Sequence, residues 1–346
     1  READAAVTAP NGRLIYDGDP VTQEWFEARR TGITATDVAA ICVPNPYRNA
    51  RHVALEKWGQ LPRELAEKAN EAAKWGTLLE PVVADVWADL HGTTVRPVGV
   101  IAAVDAPWRI ASLDRLVDLC PDGDGPCGLE IKTRNAYSAQ QWRGDIPDDV
   151  LAQTLWQMVV TGFRHMHVAC LIGGQRMVSA RVDADTEHAV VEHLITEATR
   201  VWENVQAGVL PDAPYDDAMA DLLEAQFRDG TVGDPRVLPV EDVTVLVGAY
   251  QAATAQEKAA KAAKTAARAR ILEALDRHEA LAYVGEDGLP VQVAAYGPGE
   301  SRSVTASAVE TRFPEAWKVL LGDGAAKVTP YRKLTVRASA LPKAAG

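Results

Sequence analysis

No run of about 18 apolar residues occurs anywhere in the 346-residue sequence, so no transmembrane helix is readable. The opening READAAVTAPNGRL lacks the charged-then-apolar layout of a secretory signal. It also lacks an initiator Met, and the numbering is expected to begin inside a longer chain. Cysteine is scarce. Cys42, Cys120, Cys127 and Cys170 form no CxxC pair, which points to reduced thiols and a cytoplasmic setting. Cys120 and Cys127 bracket the turn-rich PDGDGP, but no second closely spaced cysteine pair completes a metal or iron–sulfur ligand set. They read as ordinary loop and core thiols. The strand-like HMH at His165 to His167 reads as packing. An excess of positive charge is missing too: the net charge is −12, which argues against simple electrostatic coating of nucleic acid. A nuclease is not excluded, because only the surface facing phosphates must be basic, and divalent-metal sites need acidic residues.

The chain has the makings of a packed core: 47% hydrophobic residues with 24% charged is globular rather than disordered composition. Thr22 and the Thr34–Asp37 segment are candidate helix starts, and a third helix is expected over about 66–90, broken or bent near Gly76 and Pro81 and closed by His91-Gly92. Strand patterns follow over 93–101, 108–119 and 128–133, then a helix over 150–162, strands over 165–172 and 176–183, and a helix over 185–207. Helices and a mixed sheet in one run predict an α/β (α+β) fold with a mixed central sheet flanked by helices. The expected organisation is an N-terminal arm over 1–21, a core over 22–210, an acidic Pro/Gly-rich linker over 211–239, and a C-terminal region over 240–346. That last region is mainly helical. It opens with an Ala-rich helix carrying Lys258, Lys261, Lys264, Arg268 and Arg270, and its tail places eight basic residues between Arg302 and Lys343.

One constellation carries chemistry. Asp114 lies in ASLDRLV, and Glu130 and Lys132 lie two residues apart in GLEIKT. Strand residues alternate faces, so Glu130 and Lys132 share one side while Ile131 points into the packed side. If the two strands pair as a hairpin, Asp114 comes beside Glu130, and the carboxylates form an oxygen-rich site for Mg²⁺, or Mn²⁺ as a substitute, with the Ile131 carbonyl able to add a ligand. Lys132 is then placed to orient an attacking water and stabilise transition-state charge.

The order of five segments is more telling than ExK alone: WFEARRTGITAT from Trp25 to Thr36, WGTLLE ending at Glu80, SLD from Ser112 to Asp114, LEIK from Leu129 to Lys132, and AQTLWQ from Ala152 to Gln157. This succession resembles the PD-(D/E)xK nuclease core, and more narrowly the YqaJ viral recombinase and lambda exonuclease family, over about 23–174. The resemblance implies a DNA exonuclease acting 5′ to 3′ on double-stranded ends and leaving 3′ single strands for phage-type recombination. It implies that Asp114 and Glu130 are metal ligands, that Glu80 is a further carboxylate acting directly or through a water, that Lys132 is catalytic, and that Gln153 helps hold the site. Arg30, Thr36 and Ser112 match residues that hold the 5′-phosphate. A single-strand annealing protein and a ring-shaped homotrimer are implied partners. Thr36 replaces the usual Ser, and Leu113 stands where the motif's name has Pro; neither removes a ligand. Gln153 and Gln157, one turn apart, would also suit a solvated stripe, and Trp25, Trp75, Trp87, Trp142 and Trp156 read as core or channel walls. Two other functions fit the same fold: a non-catalytic DNA-binding or assembly protein, which the intact Asp114, Glu130 and Lys132 disfavour, and an endonuclease of the same superfamily.

Overall fold

The structure, a computed structural model, describes residues 9–20, 22–62, 65, 71–228, 236–284, 286, 288–296 and 306–322. The start of the helix expected over 66–90 and most of the basic tail lie outside them. Two compact units divide the chain, Arg1–Gly230 and Thr231–Gly346. Among the described residues no helix is long and apolar enough to cross a membrane.

In the first unit, strand β1 (Gly12–Tyr16) is followed by helices α1 (Gln23–Arg30), α2 (Ala35–Cys42), α3 (Ala50–Lys57) and α4 (Glu71–His91). Strands β2 (Val95–Arg96), β3 (Val100–Ala103), β4 (Ile110–Ser112), β5 (Arg115–Val117) and β6 (Cys127–Arg134) come next. A 3-10 helix (Ala136–Trp142), α5 (Asp148–Thr161), β7 (His165–Ile172), β8 (Arg176–Asp183), α6 (His188–Ala207) and α7 (Asp217–Arg228) complete the unit. The strands form two sheets, β1-β3-β4 and β2-β5-β6-β7-β8; in the larger, β6 and β7 are parallel and the other pairs antiparallel.

Strand β6 explains how helices cover both faces. Leu129 and Ile131 pack with Val83, Ala84 and Trp87 of α4, while Leu155, Trp156 and Met158 of α5 belong to the main core on the other side. The mixed α/β architecture expected from the sequence is therefore present. Helix α4 runs through Gly76 and Pro81 instead of breaking there, because burial of Val83, Ala84 and Trp87 on the sheet offsets the backbone bond that proline removes. Its outer side leaves Leu78, Val82, Val86 and Leu90 exposed.

Other boundaries differ from expectation. The N-terminal arm contains β1, which pairs with β3 from Gly12↔Ala103 onward. The linker contains α7, whose Met219 and Leu222 are buried against Leu55 of α3, and Arg51 Nε donates to the Pro211 carbonyl at 3.2 Å. Its Asp, Pro and Gly content masked an amphipathic helix. The strand expected over 93–101 divides between the two sheets, as does that over 108–119.

The first helices are fastened at their caps. Thr22 Oγ1 accepts from Trp25 N at 3.2 Å, and Thr34 and Asp37 form a reciprocal capping box on α2. Gly32 has no room for a side chain, since a Cβ there would lie 2.0 Å from the Trp108 carbonyl oxygen. The close approach lets Ile33 N reach that oxygen at 2.8 Å and the Ile33 carbonyl accept from Ile110 N at 3.0 Å. Asp37, fully buried, meets Lys57 Nζ at 2.6 Å and Arg48 Nη2 at 2.7 Å, tying α2 to α3. Burial opposes its ionisation, but Lys57, Arg48 and Arg29 outweigh that and hold the carboxyl well below the usual carboxylate range.

In the second unit, α8 (Val240–Leu275) is one helix of 36 residues, as its Ala-rich composition predicts. It ends at Asp276 in the left-handed conformation and is followed by the hairpin β9 (Ala280–Val284) and β10 (Pro290–Ala295), then α9 (Ala306–Arg312) and α10 (Pro314–Gly322). Lys258, Lys261, Lys264, Arg268 and Arg270 are all exposed.

Asp37→Ala is expected to cost about 3–5 kcal/mol in urea unfolding at neutral pH, because Lys57 stays buried without its counter-charge. A carboxyl whose folded pKa is depressed contributes stability that is fully present above about pH 4 and fades as the pH falls toward the folded value. The deficit of the variant should therefore shrink in acid; a deficit that is constant with pH would show that the ion pair is not its source.

Candidate active site

Asp114 occupies a bend. Strand β4 ends at Ser112 and β5 starts at Arg115, so the chain changes sheets at Leu113-Asp114, and the Asp114 carboxylate turns toward β6. Its Oδ2 accepts from Ile131 N at 2.6 Å. The antiparallel register, Arg115↔Leu129, brings Asp114 beside Glu130 as the hairpin reading required. Glu130 is 2% exposed, deep in the sheet. Its Oε1 accepts from Lys132 Nζ and its Oε2 from Gln157 Nε2 at 2.7 Å. Lys132 Nζ also donates to Gln153 Oε1 at 3.0 Å, and Gln157 Nε2 to the Ser112 carbonyl at 3.0 Å. The two glutamines are thus not a solvated stripe: one face of α5 is laid on the Glu130–Lys132 side of β6. Gln157, not assigned a role from sequence, is the more buried of the two and holds the deeper carboxylate.

Glu80, on α4, reaches the cluster through Arg115, whose Nη1 meets Glu80 Oε1 at 2.5 Å and also contacts the Asp114 carbonyl. Arg115 escaped the sequence reading because nothing in RLV marks it apart from an ordinary strand cation. Burial, then the Glu130 charge, pushes the Asp114 pKa well above the ordinary carboxylate value, with Lys132 opposing and Glu80 adding to the rise. For Lys132, burial favours the neutral amine, but Glu130 and Asp114 outweigh it, so its pKa is raised and the ammonium persists. Three carboxylates converge here on two cations, and Ser112 Oγ and Gln157 Oε1 are buried without hydrogen-bond partners. Excess negative charge and spare oxygen donors in one place fit a hard divalent cation.

The residues expected to hold a 5′-phosphate are only partly together. Thr36 Oγ1 accepts from Arg29 Nη2 at 3.0 Å and lies 3.0 Å from Thr34 Oγ1. Arg30 is the exposed neighbour and does not make that contact. Arg29, stacked over Trp25 at 4.4 Å, is the arginine beside Thr36; the resemblance had implied the phosphate-holding role for Arg30. The two arginines are adjacent in sequence, and only the helix phase of α1 distinguishes them. Of the five tryptophans considered, Trp87, Trp142 and Trp156 are buried, whereas Trp75 is 54% exposed.

Residues 24–164 match the YqaJ-like viral recombinase domain. All of Arg29, Thr36, Glu80, Ser112, Asp114, Glu130, Lys132, Gln153 and Gln157 lie within it. Among curated proteins the chain is similar to "Uncharacterized protein YqaJ" of Bacillus subtilis (strain 168), 27% identical over 230 residues that cover 65% of this chain and 67% of that one. Among solved structures it is similar to an alkaline exonuclease, LHK-Exo, from Laribacter hongkongensis, at 23% identity and a TM-score of 0.42, covering 54% of this chain and 94% of the other. The complex of LHK-Exo with dAMP gives 25% identity and a TM-score of 0.44 over the same shares.

The raised Asp114 pKa has a consequence for the metal-free protein. The folded state holds this proton more tightly than the unfolded chain, so stability falls as pH rises from about 4 through the folded value. With divalent ions chelated, the melting temperature should decline over that range, and Asp114→Asn should flatten the decline. Equal pH slopes in the two proteins would remove the case for an uncompensated carboxylate.

Proposed function

We propose that this chain is a metal-dependent DNA exonuclease that hydrolyses phosphodiester bonds from the ends of linear duplex DNA, 5′ to 3′, leaving a 3′ single strand. The observation that carries the reading is the meeting of Asp114, at the β4–β5 bend, with Glu130 and Lys132 of β6, to which Gln157 and Gln153 are bonded. Asp114 and Glu130 would hold Mg²⁺ or Mn²⁺, with the Ile131 carbonyl and Glu80, directly or through a water, as further oxygens. Bound there, the cation supplies Lewis acidity toward the scissile phosphate and makes a water more acidic.

The chain's own residues do the rest. Lys132, kept as an ammonium by its carboxylate neighbours, orients the attacking water and stabilises negative charge developing on the phosphoryl oxygens. Glu130 and Gln153 each accept one N–H of the Lys132 ammonium and leave the third to donate; Gln157 anchors Glu130 so that its other oxygen keeps its direction. Asp114 is aimed by the Ile131 amide. Arg29 and Thr36, with the unpartnered Ser112 hydroxyl, form the candidate seat for a terminal 5′-phosphate, which is what gives the reaction its end preference and direction. A recombinase role, as the domain's description suggests, would pass the 3′ single strand to a single-strand annealing protein.

Lys132→Ala is expected to lower Mg²⁺-dependent release of mononucleotides from 5′-labelled linear duplex by about 10²–10³-fold while duplex binding persists. Closed circles should stay intact with the wild type. Nicking of circles at a comparable rate would indicate an endonuclease, and no degradation with any divalent cation would rule out both enzymes. Arg29→Ala should shrink the preference for 5′-phosphorylated over 5′-hydroxyl ends, whereas Arg30→Ala should leave it nearly unchanged. The reverse ranking would return the phosphate contact to Arg30.

A further inference from the structure

A second cluster of ligating side chains lies in the same sheet, away from the carboxylates. Cys120 follows β5, Cys127 opens β6, and His165 and His167 open β7. The cysteines bracket the 121–126 loop, which turns on Gly123 and Gly125, both in the left-handed region, and closes through Gly123 N to the Cys120 carbonyl at 2.9 Å. The parallel register Gly128↔Met166 then sets Cys127 beside His165, and strand alternation puts His167 on the same face as His165. All four residues are buried, the most exposed at 7%.

Cys120 Sγ lies 3.0 Å from His165 Nε2 and 3.4 Å from His167 Nε2, and the four candidate ligand atoms all fall within 4.8 Å of one another. A tetrahedral zinc ion with ordinary Zn–S and Zn–N bonds needs ligand atoms roughly 3.3–3.8 Å apart, so shifts of a few tenths of an ångström, up to about 1 Å, would close the sphere. A Rieske-type cluster fits less well, because it places its histidines and cysteines on two different irons and spreads them beyond one coordination sphere. Asp122 Oδ2, the nearest carboxylate oxygen to His167 Nε2 at 3.7 Å, is already engaged by Arg181 Nη1 at 2.6 Å. That leaves four ligands, two sulfurs and two nitrogens, closed off from solvent, the pattern of a structural site with no open position for substrate.

We propose that Cys120, Cys127, His165 and His167 bind one structural Zn²⁺. Binding releases the two thiol protons, and two thiolates balance the ion's charge. The ion would pin the β5–β6 loop to the start of β7, so that the three strands around the candidate active site are clamped at one end, with Cys127 three residues before Glu130. The proposal does not depend on the nuclease reading.

The full chain, purified from zinc-supplemented cells and dialysed against Mg²⁺, is expected to carry about one zinc per chain by elemental analysis. Cys120→Ser and His167→Gln should lose at least about tenfold of that content, whereas Cys42→Ser and Asp114→Asn should keep it. Cobalt-substituted wild type should show thiolate-to-cobalt charge transfer and the visible bands of tetrahedral cobalt. That measurement decides the matter even if the cluster variants fail to fold. A stoichiometric metal other than zinc, a cobalt spectrum without sulfur character, or folded wild type free of zinc whose Cys120 and Cys127 react as ordinary thiols would each overturn the proposal.

Discussion

Burying the Glu130 carboxylate is the constraint around which this sheet is organised. A carboxylate at 2% exposure is tolerable only if both its oxygens are bonded and its charge is met. One oxygen therefore requires Lys132 on the same face of the strand, and the other requires an amide from the helix above, Gln157. Those demands fix the orientation of α5 over β6. On the opposite face Leu129 and Ile131 pack against α4. Asp114 brings a second carboxylate into the same low-dielectric place, and its raised pKa is the electrostatic price. Glu80 adds a third carboxylate, which Arg115 pairs. The site is held by polar satisfaction as much as by packing.

Much of this was legible in the sequence, and the exceptions have physical reasons. Alternation along GLEIKT was enough to put Glu130 and Lys132 on one face, and Thr22 and Thr34 marked helix starts because short oxygen-bearing side chains satisfy free amides there. The sheet change at Leu113 was not legible. Both flanking segments read as strand, and the bend is set by pairing partners distant in sequence. Arg29 and Arg30 could not be told apart because the choice rests on the exact phase of α1. Gln157 needed the three-dimensional placement of α5 to be distinguished from a solvated glutamine. The Cys120, Cys127, His165 and His167 grouping is not legible in the sequence, because the histidines lie about 40 residues beyond the cysteines and only the parallel β6–β7 register brings them together.

The two ionic clusters of the first unit differ in kind. Around Asp37, Lys57 and Arg48 give the carboxylate more positive charge than it needs, and its pKa falls. Around Asp114 the carboxylates outweigh the cations, and the pKa rises. The first arrangement is self-sufficient and joins helices; the second is short of positive charge. A net charge of −12 says nothing of this contrast, which depends on where the acids meet.

The parallel pairing of β6 with β7 also bears on the order in which the protein folds. Strands β5 and β6 are joined by a short loop and can form early as a local hairpin, whereas β7 joins β6 only after the 3-10 helix and α5 have closed a much longer loop. In that order Asp114 and Glu130 would come together before Gln157 arrives to cover them. The paired carboxylates would stay hydrated until then, and the cost of desolvating them would fall on the docking of α5. That step, rather than hairpin formation, is where the barrier to folding should be most sensitive to the charge of the site.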